Sequence, residues 1–263
     1  MDYCIATQSP GGGRILNYGA CKQNMLSNYT MVCQMCNISA VSRSLQMDER
    51  LGYGMLMTRD EIRKRLAHAR VGIAGLGGLG SNCAAALARS GIGSLVLVDF
   101  DIVSEGNLDR QFYFRDQVGM PKARALADNL SRIDPSVRLE THIEKLDADL
   151  VIKRFHDCGI IVEAFDQADA KKMIIETVLE HMPDTWIVAA SGLAGFGEFE
   201  SIRKIRSGRL ILCGDGKSEV GPDAPPLAPR VGIVACMEAD AVLEILLGSE
   251  DAFVSRTIQG GRQ

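Results

Sequence analysis

The sequence predicts an α/β protein built on a doubly wound, mainly parallel sheet, with antiparallel strands near the C-terminus. The first observation is a strand, a glycine-rich turn, a helix and a second strand in direct succession between residues 71 and 99. The second is the alternation of apolar strand patterns with helical patterns up to residue 190, which is typical of parallel sheets. The third is a pair of strand patterns after residue 198 that a short turn joins, as in an antiparallel hairpin.

The first unit has the order of a nucleotide-binding βαβ motif. Val71–Ala74 is a short apolar run that predicts a buried strand, Ser81–Arg89 is an Ala-rich helical segment, and Leu95–Val98 predicts the second strand. Four glycines lie in or beside the turn between the first strand and the helix: Gly75, Gly77, Gly78 and Gly80. Such glycines let backbone N–H groups approach a phosphate at the helix N-terminus. Asp99, at the carboxyl end of the second strand, is placed to accept hydrogen bonds from ribose hydroxyls. The pattern therefore predicts a Rossmann-like nucleotide site.

The remaining elements follow from periodicity and turn chemistry. A capping-box pattern at Thr58–Glu61 predicts the start of an amphipathic helix over Arg59–Ala69, and Lys122 lies in the first turn of another predicted helix. Beyond it we predict strand Val137–Thr141, helix Asp147–Phe155, strand Ile160–Ala164, helix Lys171–His181 and strand Trp186–Ala190. In the tail we predict strands over Phe199–Ile205 and Arg209–Cys213, a Gly- and Pro-rich loop over Gly214–Pro229, and a helix over Arg230–Leu247.

Composition narrows the possible functions. The chain has 263 residues and a formal net charge of -4, so no basic surface for nucleic acid is expected. The sequence shows no bilayer-spanning apolar run and no signal-peptide pattern, which predicts a cytoplasmic protein without a membrane partner. Residues 1–50 lack periodicity and are interpreted as a poorly ordered extension outside a single domain over residues 51–263. Only Cys33 and Cys36 form a C-x-x-C pair, and because a tetrahedral zinc site would need a second pair, no zinc is predicted.

Motifs downstream of the glycine turn are more specific than the turn itself. They are Asp99–Asp101 (DFD), Asn107–Gln111 (NLDRQ), Gly119–Lys122 (GMPK) and Phe165–Asp166. Together with the turn, over residues 61–247, they resemble the ThiF/MoeB/HesA superfamily of ubiquitin-activating-enzyme-like adenylyltransferases. The segments QFYF at 111–114, EAFD at 163–166, AASG at 189–192 and APRVG at 228–232 are most similar to the short ThiF-type branch, which is associated with thiamine biosynthesis.

The resemblance implies an ATP- and Mg²⁺-dependent adenylation of a small ubiquitin-like sulfur carrier protein, a ThiS-like protein ending in Gly-Gly, with release of pyrophosphate. At the matching positions it implies a ribose contact at Asp99, phosphate contacts at Asn107, Arg110 and Lys122, magnesium binding at Asp166, and further nucleotide contacts at Asp101 and Gln111. Arg110, Lys122 and Asp166 would form the catalytic set. The chemistry agrees, because attack of a carboxylate on the α-phosphate gathers negative charge that fixed cations and a metal ion stabilise.

The sequence departs from many relatives in its cysteines. Those relatives carry two C-x-x-C pairs for a structural zinc, and some use a cysteine in the loop before the last helix for sulfur transfer. Here the loop over Gly214–Pro229 contains no cysteine, Cys213 borders it and is a candidate for that role, and Cys236 lies in the last helix. We therefore expect an adenylation-only enzyme that works with a separate sulfur donor protein. Family members are usually homodimers, so a homodimer is expected, with Arg59 and Arg63 as candidates for an arginine that reaches the partner's phosphates.

Other functions fit parts of the sequence. An ATP-dependent dehydratase of threonylcarbamoyl-modified tRNA belongs to the same superfamily but would need a positive surface, which the net charge of -4 disfavours. An NAD-dependent reductase uses the same glycine fingerprint but has no need of Arg110, Lys122 and Asp166. A non-catalytic scaffold would not need these residues either.

Overall fold

The computed structural model describes residues 57–248 and two short strands nearer the N-terminus. Those strands, β1 (Thr7–Gln8) and β2 (Arg14–Ile15), pair antiparallel within a compact unit formed by residues 1–53. The sequence pattern does not predict this pair. The rest of the predicted N-terminal extension, residues 1–50, lies outside the described residues. A second compact unit, residues 54–263, contains all the elements that follow.

Strands and helices alternate through the described part of the second unit. The strands are β3 (Arg70–Ala74), β4 (Ser94–Val98), β5 (Arg138–His142), β6 (Ile160–Glu163), β7 (Trp186–Ala190), β8 (Arg203–Ser207) and β9 (Leu210–Gly214). The helices are α1 (Arg59–Leu66), α2 (Gly78–Ser90), α3 (Lys122–Ile133), α4 (Ala148–Phe155), α5 (Ala168–His181) and α6 (Ala228–Leu247).

The strands form one seven-stranded sheet in the order β5-β4-β3-β6-β7-β9-β8. Every neighbouring pair is parallel except β8 with β9, where β8 is the antiparallel edge strand. The predicted fold class is confirmed. The chain builds outward from β3 to β5 and then crosses to β6, so the strand order reverses between β3 and β6. In open α/β sheets ligands bind at the carboxyl ends of the strands at such a reversal.

Helices cover both faces of the sheet because the central strands are apolar on both sides. Helices α1, α2, α3 and α6 pack on one face, and α4 and α5 pack on the other. The predicted capping box at Thr58 is present, with mutual bonds between Thr58 and Glu61. Helix α2 ends at Gly91, whose φ of 94° is left-handed.

Several element boundaries differ from the prediction by a few residues: α1 ends at Leu66 and α5 begins at Ala168, and two further differences have a clear physical reason. Residues Phe199–Ser201 form a 3-10 turn, and the strand that was predicted from Phe199 begins only at Arg203. Phe199 and Ile205 are both exposed, so their alternation does not reflect a buried face. Helix α2 begins at Gly78, because the last glycines of the turn already take helical geometry. Among the described residues, no helix is long and apolar enough to cross a membrane.

Candidate nucleotide-binding site

The glycine turn lies at the reversal of strand order. Gly75 follows β3 with a left-handed φ of 88°, and a Cβ added there would lie 2.9 Å from the carbonyl oxygen of Ala164. The turn therefore passes directly against the connection between β6 and α5. A Cβ at Gly80 would overlap the carbonyl oxygen of Gly75, so α2 approaches the turn this closely only because Gly80 has no side chain. Helix α2 starts directly after Gly77. The backbone N–H groups of its first turn have no partner within the helix and can bind an anion.

Asp99, the predicted ribose acid, is buried at the carboxyl end of β4. One carboxylate oxygen, Oδ2, accepts a 2.6 Å bond from the Leu76 N–H, and Oδ1 accepts a 2.8 Å bond from the Asp101 N–H. Burial raises the pKa of Asp99, and these two N–H donors and the nearby Lys122 oppose that rise. Asp99 thus braces the glycine turn as well as lying at the expected ribose position, and each oxygen keeps a lone pair for a ligand.

Lys122, at the start of α3, is a buried cation tied to the same strand end. Its ammonium group donates a 2.8 Å bond to Oδ2 of Asp101, and its side chain is only 7% exposed. Its backbone N–H also donates to the Asp101 carbonyl oxygen at 2.9 Å. The predicted residues Asp99, Asp101 and Lys122 are therefore brought together, through contacts that hold Lys122 in one place.

Arg110 and Asn107 lie on the loop that follows β4. The Arg110 guanidinium donates to the Gly106 carbonyl oxygen at 3.1 Å and to Asp109 at 2.6 Å, and its side chain is 26% exposed. A Cβ added at Gly78 would lie 3.6 Å from Cγ of Arg110, so Arg110 starts beside the turn. The Asn107 side-chain oxygen accepts a bond from the Ser104 N–H at 3.0 Å, so that oxygen caps a 3-10 turn.

Gln111 has an unsatisfied group at the glycine turn. Its Oε1 atom is buried and has no hydrogen-bond partner among the described residues. Its Nε2 atom lies 3.9 Å from the position that a Cβ of Gly77 would take. A buried amide oxygen without a partner is costly in the folded state, so Gln111 is placed for a ligand contact at the turn.

Asp166 lies on the β6–α5 connection, exposed, and forms no hydrogen bond or ion pair with other described residues. The connection itself is fixed by Glu163, which is fully buried and accepts bonds from the Phe165 N–H at 2.7 Å and from Nζ of Lys171 at 2.9 Å. Lys171 also donates to the Ala190 carbonyl oxygen at 3.1 Å. Burial raises the pKa of Glu163, and Lys171 opposes the rise.

Sequence reasoning missed the residues that brace the site. Glu163 and Lys171 were interpreted only as part of a strand and a helix. Arg230, at the start of α6, forms an ion pair with Asp215, and this pair joins the two ends of the Gly- and Pro-rich loop. Arg230 also donates a hydrogen bond to the Gly197 carbonyl oxygen. Burial works to raise the pKa of Asp215, but N–H donors and Arg230 outweigh it and lower the pKa overall. One feature of the sequence could have indicated such a residue: at Glu163, a charged residue interrupts an apolar strand pattern.

The described residues contain no group of three or more His, Cys, Asp or Glu side chains arranged to hold a metal ion. Cys33 and Cys36 lie outside them. Cys213 is buried at the end of β9, and burial raises its pKa to about 12. Because the thiolate is the reactive form, this environment disfavours a sulfur-transfer role for Cys213.

Comparison with known proteins identifies the family. The profile described as "ThiF family" matches residues 53–259. The chain belongs to the ThiF family. This confirms the resemblance on which the site residues were predicted, and the site of this ThiF-family member lies within the matched segment.

Individual relatives are similar to this chain either at modest identity or over a short segment. The molybdopterin-synthase adenylyltransferase of Haemophilus influenzae is 28% identical over 197 residues, which cover 70% of this chain and 77% of that protein. Ubiquitin-like modifier-activating enzyme 5 of Drosophila virilis is 47% identical over 79 residues, 30% of this chain. That match spans only 20% of the fly protein.

Solved structures share the fold. The tRNA N6-threonylcarbamoyladenosine dehydratase of E. coli, solved in complex with ATP, superposes with a TM-score of 0.65 at 22% identity. The match covers 76% of this chain and 92% of that one. This likeness concerns the arrangement of the sheet and its helices.

Proposed function

We propose that this chain adenylates the C-terminal carboxylate of a small ubiquitin-like carrier protein, with ATP as co-substrate and pyrophosphate as product. The observation that carries the proposal is that the glycine turn, Asp99 and Lys122 come together at the reversal of strand order, with the Arg110 side chain starting beside the turn. Membership of the ThiF family supports it, as do relatives named as an adenylyltransferase and as a ubiquitin-like modifier-activating enzyme.

The proposed chemistry needs charge stabilisation and little else from the protein. A carboxylate oxygen of the carrier attacks the α-phosphorus of ATP, the bond to the pyrophosphate oxygen breaks, and an acyl adenylate forms. A carboxylate is already ionised at neutral pH, so no general base is required. Arg110 would bridge two phosphate oxygens with its planar guanidinium, and Lys122 would supply a fixed point charge.

The residues present fit a magnesium ion beside the triphosphate. Mg²⁺ is commonly held by one or two carboxylates together with phosphate oxygens and water. Asp166 would be the carboxylate, since it is exposed at the end of β6 and is not engaged by other described residues. Bound there, the ion would add positive charge at the phosphate oxygens.

The finer assignment is a ThiS-like sulfur carrier ending in Gly-Gly, within thiamine biosynthesis. It rests on the similarity of segments such as EAFD at 163–166 and AASG at 189–192 to the ThiF-type branch. The proposal includes a homodimer and a separate sulfur donor protein. The buried, high-pKa thiol of Cys213 supports the separate donor.

The test is carrier-dependent exchange of labelled pyrophosphate into ATP. We expect exchange with a ThiS-like carrier, and a rate lower by about 100-fold or more in Arg110→Ala, because one group that stabilises the transition state is lost. Asp166→Ala should abolish exchange. Arg115→Ala is the matched control, since Arg115 lies on the same loop region but is 83% exposed and pairs only loosely with Glu105.

Three outcomes would contradict parts of the proposal. ATP cleavage stimulated by threonylcarbamoyl-modified tRNA, with no response to a carrier, would replace carrier adenylation with the dehydratase function. Exchange with the carrier of the molybdopterin pathway and none with a ThiS-like carrier would overturn only the finer assignment. If Cys213→Ser keeps full exchange but loses thiocarboxylate formation, sulfur passes through this chain after all.

A further inference from the structure

The first turn of α2 carries two polar side chains that bind a distant loop. Ser81 Oγ donates to the Gly77 carbonyl oxygen at 2.6 Å and accepts a 2.9 Å bond from the Phe112 N–H. The side-chain Nδ2 atom of Asn82 donates two hydrogen bonds, one to the Gly78 carbonyl oxygen at 2.6 Å and one to the Arg110 carbonyl oxygen at 2.9 Å. The two residues therefore connect the glycine turn to the chain on either side of Gln111.

Arg110 itself has few other anchors at its backbone. Its N–H donates to the Asn107 carbonyl oxygen at a long 3.3 Å, within the same local turn. Among the residues that the structure describes, its guanidinium donates hydrogen bonds to Gly106 and Asp109, both on its own loop. Among the described residues, the side chains of Ser81 and Asn82 make the bonds to the glycine turn that lie nearest to Arg110, and the Tyr113 hydroxyl adds a 2.8 Å bond to the Leu76 carbonyl oxygen further along the same segment.

We infer that Ser81 and Asn82 are positioning residues for Arg110, which hold its backbone over the glycine turn so that its guanidinium meets the phosphates of ATP. This rests on the proposed function, since Arg110 is a phosphate ligand only if the turn binds ATP. Asp99 is braced through Leu76 and Asp101 instead, so the adenosine end of the site does not depend on these two residues.

Helix α2 offers a matched control at its other end. Ser90 Oγ donates to the carbonyl oxygen four residues earlier, Ala86, at 2.9 Å, as Ser81 does to Gly77. Ser81→Ala and Ser90→Ala therefore remove the same intrahelical bond, but only Ser81→Ala removes the acceptor for the Phe112 N–H. Asn82→Ala is a second, independent variant that acts on Arg110 directly.

The experiment measures the affinities of ATP and adenosine for the full chain by calorimetry. We expect Ser81→Ala and Asn82→Ala each to weaken ATP binding about fivefold or more, the effect of one lost hydrogen bond, and to leave adenosine binding unchanged. Ser90→Ala should leave both affinities unchanged. In an Arg110→Ala background, Ser81→Ala and Asn82→Ala should cause no further loss of ATP affinity, because both act through Arg110.

The outcomes separate this inference from the proposed function. If Arg110→Ala weakens ATP binding but neither variant does, or if their effects multiply with that of Arg110→Ala, the positioning role is wrong. Equal losses of ATP and adenosine affinity would mean a general structural defect and would also overturn it. If Arg110→Ala itself leaves ATP binding unchanged, the proposed phosphate site fails, and the positioning role fails with it.

Discussion

At the scale of single residues, Lys122 combines a buried charge with an exposed partner. Its side chain is 7% exposed, whereas the Asp101 side chain is 48% exposed. Removing the lysine charge leaves the Asp101 carboxylate, which water can solvate, and the buried Asp99 carboxylate loses a nearby cation but keeps its two N–H donors. Loss of the lysine charge should therefore change the free energy of unfolding little. An effect of this substitution on ATP binding can then be distinguished from an effect on folding.

This difference predicts the behaviour of Lys122→Met, which keeps the length of the side chain and removes its charge. We expect the free energy of unfolding to fall by about 1 kcal/mol or less, as for a partly exposed ion pair. ATP affinity should fall by about tenfold or more, since a charge-assisted bond to a phosphate oxygen contributes about 1.5–3 kcal/mol.

Urea unfolding and calorimetric titration with ATP measure the two effects of Lys122→Met. Lys172→Met, which removes an exposed lysine on α5, is the control and should change neither quantity. If the free energy of unfolding of Lys122→Met falls by several kcal/mol while its ATP affinity is unchanged, Lys122 stabilises the fold and does not bind ATP.

The sequence predicts where the candidate site residues lie in the fold better than it predicts their hydrogen-bond partners. Asp99 is correctly placed at the end of a strand, because that position depends on a local pattern. Its bonds to Leu76 and Asp101 are not predictable, since a carboxylate in a loop has many possible donors. Lys171 sits in an amphipathic helical pattern, where a lysine is ordinarily solvated. Only the sheet order, which places the ends of β6 and β7 side by side, brings Glu163 and Ala190 within its reach.

At the scale of elements, order and type follow from the sequence because hydrophobic periodicity is local. The antiparallel β8–β9 pair is correctly predicted, but the start of β8 is not. Phe199 and Ile205 fit an alternating pattern, yet both are exposed, since Phe199 lies in the 3-10 turn before β8 and Ile205 lies in the edge strand β8, whose residues are all exposed. The pairing register of a strand and the layer that covers it depend on the assembled sheet. The ends of edge strands are therefore the boundaries that a sequence predicts least well.

The contact between β3 and α2 gives the element-scale prediction. A Cβ in Gly80→Ala would overlap the Gly75 carbonyl oxygen, which is backbone and cannot move aside as a side chain can. We expect a loss of about 3 kcal/mol or more in the free energy of unfolding, together with loss of ATP binding as the turn is displaced.

Gly232→Ala, in helix α6, is the matched control for Gly80→Ala. No atom of the described structure lies within 4 Å of its added Cβ. This substitution should stabilise the protein by up to about 1 kcal/mol through helix propensity. Thermal unfolding measures both variants, and a Gly80→Ala protein as stable as wild type would refute the close approach of α2.

At the scale of the whole molecule, the layer between the sheet and its helices contains an acid without a counter-ion of its own. Glu238, on α6, is fully buried, and neither carboxyl oxygen has a hydrogen-bond partner among the described residues. Burial raises its pKa well above the usual value, Glu163 raises it further, and Lys171 opposes the rise. Cys83 and Cys213 are the other titratable groups that interact with it. Lys171 therefore pairs with Glu163, and burial favours the protonated form of Glu238.

A neutral buried acid makes stability depend on pH in a definite direction. An unfolded glutamate has a pKa near 4.5, whereas burial raises the pKa of Glu238 in the folded chain well above that value. Across this window Glu238 binds more protons in the folded state than in the unfolded state, so the contribution of this group to stability is greatest at low pH and falls as pH rises. The slope approaches about 1.4 kcal/mol per pH unit for one group.

Glu238→Gln removes this dependence while keeping the shape of the side chain. We expect the variant to gain stability relative to wild type as pH rises, measured by urea unfolding at about pH 5, 6 and 7. Glu180→Gln, on the exposed side of α5, should keep the wild-type dependence. Parallel curves for wild type and Glu238→Gln would mean that Glu238 ionises without penalty in the folded chain. Its burial between the sheet and α6 would then be wrong, and with it the packing of the last helix on the nucleotide-binding half of the sheet.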